Sequence, residues 1–146
     1  MIKTTDLMRT LLNAALADGT PCLVGTASKD GYPQISPKGS VVVFDDEHLC
    51  FWERSKRSAL KRIEENPHLC VYYRNPARAA EIPYRAACIR FYGDVRLVES
   101  GPERDKVWDL IPEAERKPDP EKKGTAVLVR LSRIEELNGT VIMQRD

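Results

Sequence analysis

Arg54, Lys56 and Arg57 crowd the stretch "ERSKRSALKRIEENP", residues 53 to 67, of an otherwise charge-balanced chain. Directly after them Ala59, Leu60 and Ile63 recur at helical spacing, which predicts a short helix over 58–66 that Pro67 stops. Ser55 and Ser58 are its capping candidates. A helix N-terminus already carries partial positive charge and unsatisfied N–H groups, so cations there are unfavourable unless an anion lies between them. A phosphate would resolve that conflict. Lys61 and Arg62 can equally pair with Glu64 and Glu65 on a solvated helix face, and the stretch alone fits both readings.

Ser36-Pro37-Lys38-Gly39 is the second irregularity, because it interrupts the strand-like run "QISPKGSVVVF". Proline removes a ladder donor and glycine weakens a strand, so the pair marks either a bulge at a barrel rim or a place where a ligand approaches the backbone. If the strands pair as a meander, "FWERS" and the basic helix start come close to it. A planar ligand could then lie against residues 36 to 39, near Trp52, with its phosphate on the helix N-terminus.

Other chemistry has little support. His48 sits in an acidic turn and His68 follows a proline, which reads as surface rather than a metal site. Cys22, Cys50, Cys70 and Cys88 stand singly in apolar segments, which suggests buried thiols rather than a zinc site or nucleophiles. Trp108 reads as packing, and one of Tyr72 and Tyr73 as core. Net charge is +1 over 146 residues, so nothing calls for nucleic acid or a membrane surface. With no apolar run of spanning length and no signal-peptide pattern, the expectation is a single cytoplasmic domain over 1–146.

The elements that must position these residues follow from periodicity. A helix is predicted over 4–18, capped by Thr4 or Thr5 and ended by Gly19. Strands are predicted at "PCLVGTAS", "QISPKGSVVVF", "LCFWE", "HLCVYYR", "ACIRFYGDVRLVE", "TAVLVRLSRIEEL" and "GTVIMQR". Residues 102 to 111 read as a helix that starts at Pro102, and "PEAERKPDPEKKG" as an exposed, mobile loop. Many short antiparallel strands with three short helices argue for a mainly β protein, a β-barrel with peripheral helices.

Residues 24 to 76, with the D-G-x-P turn, S-P-K-G, the basic helix start and the N-P stop, resemble the pyridoxamine 5′-phosphate oxidase-like flavoproteins. The resemblance extends over 20 to 100 and implies an FMN-binding split barrel, antiparallel and Greek-key-like. It implies a homodimer that binds FMN at the dimer interface, and an FMN-dependent oxidoreductase acting on a small-molecule substrate or electron donor. Alternatives on the same barrel are a non-catalytic flavin- or haem-binding protein and a deazaflavin-coenzyme reductase. Carried over by position, Ser36, Pro37, Lys38 and Gly39 would line the flavin and its ribityl chain, with Trp52 and Glu53 beside them. Arg57 and Ser58, with Arg54, Ser55 and Lys56 adjacent, would hold the phosphate, and Arg90 would reach the ligand from the barrel wall. Glu53 is an unexpected acid there, for which Arg54, Lys56 or Arg74 are candidate partners. No residue is assigned as catalytic acid or base, and the segment "NGTVIMQRD" has no counterpart of the oxidase's pyridoxamine-phosphate-binding end.

Overall fold

Thr5 opens the first helix: its hydroxyl accepts from the Met8 N–H at 3.1 Å, and Asp6 supplies the acidic first turn. The computed structural model describes residues 1–56 and 58–146, and of these the side chains of all but Ser58 and Ala59. Helix α1 runs Asp6–Ala14, shorter than the sequence predicts, and the chain leaves it through turns that end at Gly19 with φ +78°. Met8, Leu11 and Leu12 are fully buried, so α1 plugs one end of the sheet with its apolar stripe.

Eight strands follow: β1 Cys22–Ala27, β2 Pro33–Lys38, β3 Val42–Val43, β4 His48–Glu53, β5 His68–Arg74, β6 Cys88–Val98, β7 Thr125–Glu135 and β8 Val141–Gln144. Helix α2, Ser58–Glu65, joins β4 to β5, while α3, Pro102–Leu110, and α4, Glu113–Arg116, lie between β6 and β7. All strands pair antiparallel in the order β2-β1-β5-β6-β7-β4-β3, with β8 added on β7. This is not a meander, since β4 pairs with β7 and not with β5. The two ends of the order, β2 and β3, are joined only by residues 39–41. Such a short link brings the sheet's edges together and curls it into a split barrel.

The barrel interior holds Val24, Phe51, Val71, Tyr73, Phe91 and Val129, each at most 3% exposed. A second cluster lies outside β4 and β7, where Val107 and Ile111 cover Val42, Cys50, Trp52, Ala126 and Leu128. That cover explains why "LCFWE" and "TAVLV" read as nearly unbroken apolar runs: both faces of these strands are buried.

One predicted element is refined. Residues 112–123 are mostly exposed, as the sequence predicts, but they contain the short helix α4 and bury Asp119, which is only 9% exposed. The described helices therefore number four, with additional 3-10 turns at Pro76–Arg78 and Arg85–Ala87.

Gly93 marks the register shift between β6 and β7. A Cβ there would stand 2.5 Å from the Arg130 carbonyl oxygen and 2.7 Å from Val129 Cγ1. Backbone cannot yield as a flexible side chain can. Gly93→Ala is therefore expected to cost about 2–3 kcal/mol, read as a lowered urea midpoint with an unchanged slope.

Candidate functional site

Ser40 fixes the geometry of the split. Its hydroxyl accepts from the Trp52 N–H at 3.0 Å and donates to the Trp52 carbonyl at 3.2 Å. One buried side chain thus satisfies both backbone groups of a strand residue just beyond the β3–β4 ladder. Gly39 and Lys38 are held opposite Trp52 and Glu53 as a result. The predicted proximity of the two irregular stretches holds, through the antiparallel pairing of the consecutive strands β3 and β4.

A hollow of about 280 Å³ opens there, lined by Pro37–Ser40, Trp52–Ser55 and Glu115. A narrower one beside it is lined by Gln34, Ser36, Phe51 and Ile63 among others, and Lys38 and Glu53 line both. These two side chains form an ion pair across the split, from Lys38 Nζ to Glu53 Oε2. Glu53 is 2% exposed, and its Oε1 accepts from the Ser55 N–H at 3.1 Å. Its cationic partner is therefore Lys38, not Arg54, Lys56 or Arg74. A buried carboxylate keeps its charge at tolerable cost only with such pairing and hydrogen bonding.

The cations expected at the helix start are spread over different partners. Arg54 Nη2 lies 3.6 Å from Glu115 Oε2, and Lys56 Nζ donates to Thr125 Oγ1 at 2.9 Å. Arg57 lies outside the described residues, as does the side chain of Ser58. Trp52 lines the hollow, yet its ring is engaged on the outer side. Nε1 donates to Asp119 Oδ2 at 2.8 Å, and the ring meets Trp108 edge-on at 4.8 Å between centroids. Arg104 stacks over it at 4.7 Å. Trp108 is packing, as its sequence position suggests.

Arg90 is placed elsewhere. It is held by Glu135 at 3.0 Å and by the Leu137 carbonyl at 2.8 Å. It lines a separate hollow of about 340 Å³ with Leu23, Gly25, Ile35, Cys70 and Tyr72. Tyr72 faces that hollow, while Tyr73 is core.

Sequence reasoning missed Ser40, Glu115 and Asp119. Ser40 has no signal beyond following a glycine, and the two acids sit in a polar, proline-rich run that looks solvated. Asp119 Oδ1 accepts from the Lys123 N–H at 2.9 Å, and Oδ2 from the Gly124 N–H at 2.8 Å as well as from Trp52. Burial opposes ionisation of Asp119, but these hydrogen bonds and the Arg104 charge outweigh it and hold the carboxyl below its ordinary range.

The hollow carries bare backbone at Gly39, where a Cβ would collide with the Glu115 carboxylate and with Leu16 Cδ1. Arg54 and Ser55 line it too, next to the same Glu115 carboxylate and just before α2 begins. Cations that lead to a helix N-terminus are an arrangement suited to an anion such as a phosphate. Nucleophilic thiol chemistry is disfavoured, since burial pushes Cys22 up to about 12 and Cys70 up to about 11. His48 and His68 are each paired to an aspartate, at 2.8 and 2.6 Å, and line none of this hollow. Among the described residues no group of three metal-ligating side chains exists, and no helix is long and apolar enough to cross a membrane.

Residues 8–137 match the family described as Pyridoxamine 5′-phosphate oxidase. The chain belongs to this family. No curated protein matches it. Among solved structures, HupZ of Group A Streptococcus superposes with a TM-score of 0.72 at 18% identity, covering 98% of this chain and 99% of that one. An FMN-binding protein from Syntrophomonas wolfei gives 0.69 at 11% identity, over 90% and 86% of the two chains. An F420 reductase gives 0.61 at 23% identity, over 90% and 98%. Identities this low speak for a shared fold, the split barrel of the pyridoxamine 5′-phosphate oxidase family.

Proposed function

We propose that the protein is an FMN-dependent oxidoreductase that acts on a small molecule as a homodimer. The observation that supports this most is the hollow at the split, which gathers Pro37, Lys38, Gly39, Trp52, Glu53, Arg54 and Ser55 around bare backbone. Ser36 lies just across the Lys38–Glu53 pair. FMN, when bound, would supply hydride or electron transfer. The chain's own residues bind and orient: the Gly39 backbone becomes reachable when the Glu115 carboxylate moves aside, and Arg54, Lys56 and the start of α2 offer charge and donors to a phosphate. Glu53 holds Lys38 over the groove. Ile35, 70% exposed, lines the apolar hollow that Arg90 shares. A second copy is the natural cover for that face. Light scattering should therefore give twice the 16.5 kDa chain mass, and a monomer at micromolar concentration would contradict the dimer.

The cofactor reading is tested at the residue that sequence assigns to the phosphate. Arg57→Glu replaces a charge-assisted hydrogen bond, worth roughly 1.5–3 kcal/mol, with repulsion. FMN affinity should fall at least about tenfold, while riboflavin, which lacks the phosphate, binds both forms almost equally. Lys61→Glu is the control, being exposed on α2. Arg62 is unsuited because its Nε is buried. Titration of flavin fluorescence reads the result, and equal FMN affinity in wild type and Arg57→Glu would overturn the phosphate assignment.

A further inference from the structure

Among the described residues that line the hollow, Glu115 alone comes from the connection between β6 and β7. Its carboxylate lies against Gly39, on the side where any other residue would carry a Cβ, and it ion-pairs with Arg54 at 3.6 Å. The segment that carries it is fastened at two points. Arg116 Nη1 donates to the carbonyls of Trp108 and Asp109, each at 3.3 Å, and Asp119 grips Trp52. Directly before those anchors Glu115 lines the groove, its side chain 18% exposed, while Arg54 is 50% exposed.

We propose that Glu115 is an internal anion that occupies the Arg54 end of the groove and is displaced when a phosphate-bearing ligand enters, which makes it a residue that tunes selectivity for phosphorylated over unphosphorylated ligands. The physical basis is competition for one cation. An ion pair of this length between half-exposed and part-buried groups is weak, whereas a phosphate brings more negative charge and more acceptor oxygens to the same guanidinium. Glu115 also pairs with Arg54, so the cation crowd before α2 does not depend on a ligand for its counter-charge. Occupancy of the groove by phosphate is the point at which this rests on the flavin reading. The test therefore includes a probe that does not depend on flavin.

Glu115→Gln keeps the shape of the side chain and removes its charge. Relative to wild type it should tighten FMN about fivefold or more and riboflavin less than twofold, by flavin fluorescence titration. In an Arg54→Gln background the same change should tighten FMN less than twofold, because the shared cation is gone. Equal gains for FMN and riboflavin would make Glu115 a steric obstacle, and a full gain without Arg54 would make it a source of general repulsion. Either result overturns the proposal, as does an unchanged FMN affinity. If neither protein binds flavin, the flavin reading fails, and inorganic phosphate titrated against the intrinsic fluorescence of Trp52 and Trp108 decides alone. Tighter phosphate binding by Glu115→Gln then supports the internal anion, and equal binding refutes it. Thermal melting of the variants, with a shift of only a few degrees expected, confirms that each is folded.

Discussion

Lys38→Met is expected to destabilise the fold by about 3 kcal/mol, the lower end of the cost of stripping one partner from a buried ion pair. Glu53 is 2% exposed, so without Lys38 its carboxylate remains in the protein interior with, among the described residues, the Ser55 N–H to hold it. Lys38 itself keeps 20% of its side chain exposed, which places the loss at the low end of the range. The double variant Lys38→Met, Glu53→Leu should recover most of the stability, because replacing both charges with apolar groups removes the desolvation penalty along with the attraction. Urea denaturation of the four proteins in the cycle checks this. A single variant as stable as wild type would mean the pair has little structural weight.

Asp119→Ala should cost a similar amount, about 3 kcal/mol. One carboxylate serves the Trp52 indole and two backbone N–H groups, and hydrogen bonds to a charged group are worth roughly 1.5–3 kcal/mol each. Its removal strands a buried indole donor and loosens residues 119–124, which Arg104 then holds at the Lys122 and Gly124 carbonyls. Trp52 fluorescence should shift toward the solvent-exposed position, and proteolysis should begin in this segment. A pH dependence follows with a definite sign. The folded carboxyl titrates below its ordinary value, so its stabilisation is present above the unfolded pKa of about 3.9 and fades as pH falls through the folded one. Wild type should lose the indole contact only below about pH 4, and Asp119→Asn should lack that acid step.

Much of the fold is legible in the sequence because alternation and turn residues agree. The Thr5 cap, the β2 proline–lysine end and the Asn-Pro stop after α2 each impose their structure locally. Pairing order is not legible in the same way. That β4 joins β7 depends on α3 covering the outer face of both strands, a long-range effect with no local signature. The site divides along the same line. Lys38, Gly39 and the basic run stand out because each breaks a local rule: an interrupted strand, cations at a helix start. Ser40, Glu115 and Asp119 break none. Their roles come from tertiary placement, and Asp119 sits in a proline-rich polar run that looks solvated. Glu53 is intermediate, since the sequence shows an acid out of place but not that Lys38, across the split, is its partner.

Mass spectrometry of the small molecule released from natively purified protein tests the flavin assignment most directly. The expected result is FMN, with a yellow protein and about one flavin per chain after reconstitution. Release of a deazaflavin or haem, or a colourless protein that reconstitution with FMN leaves colourless, would contradict it.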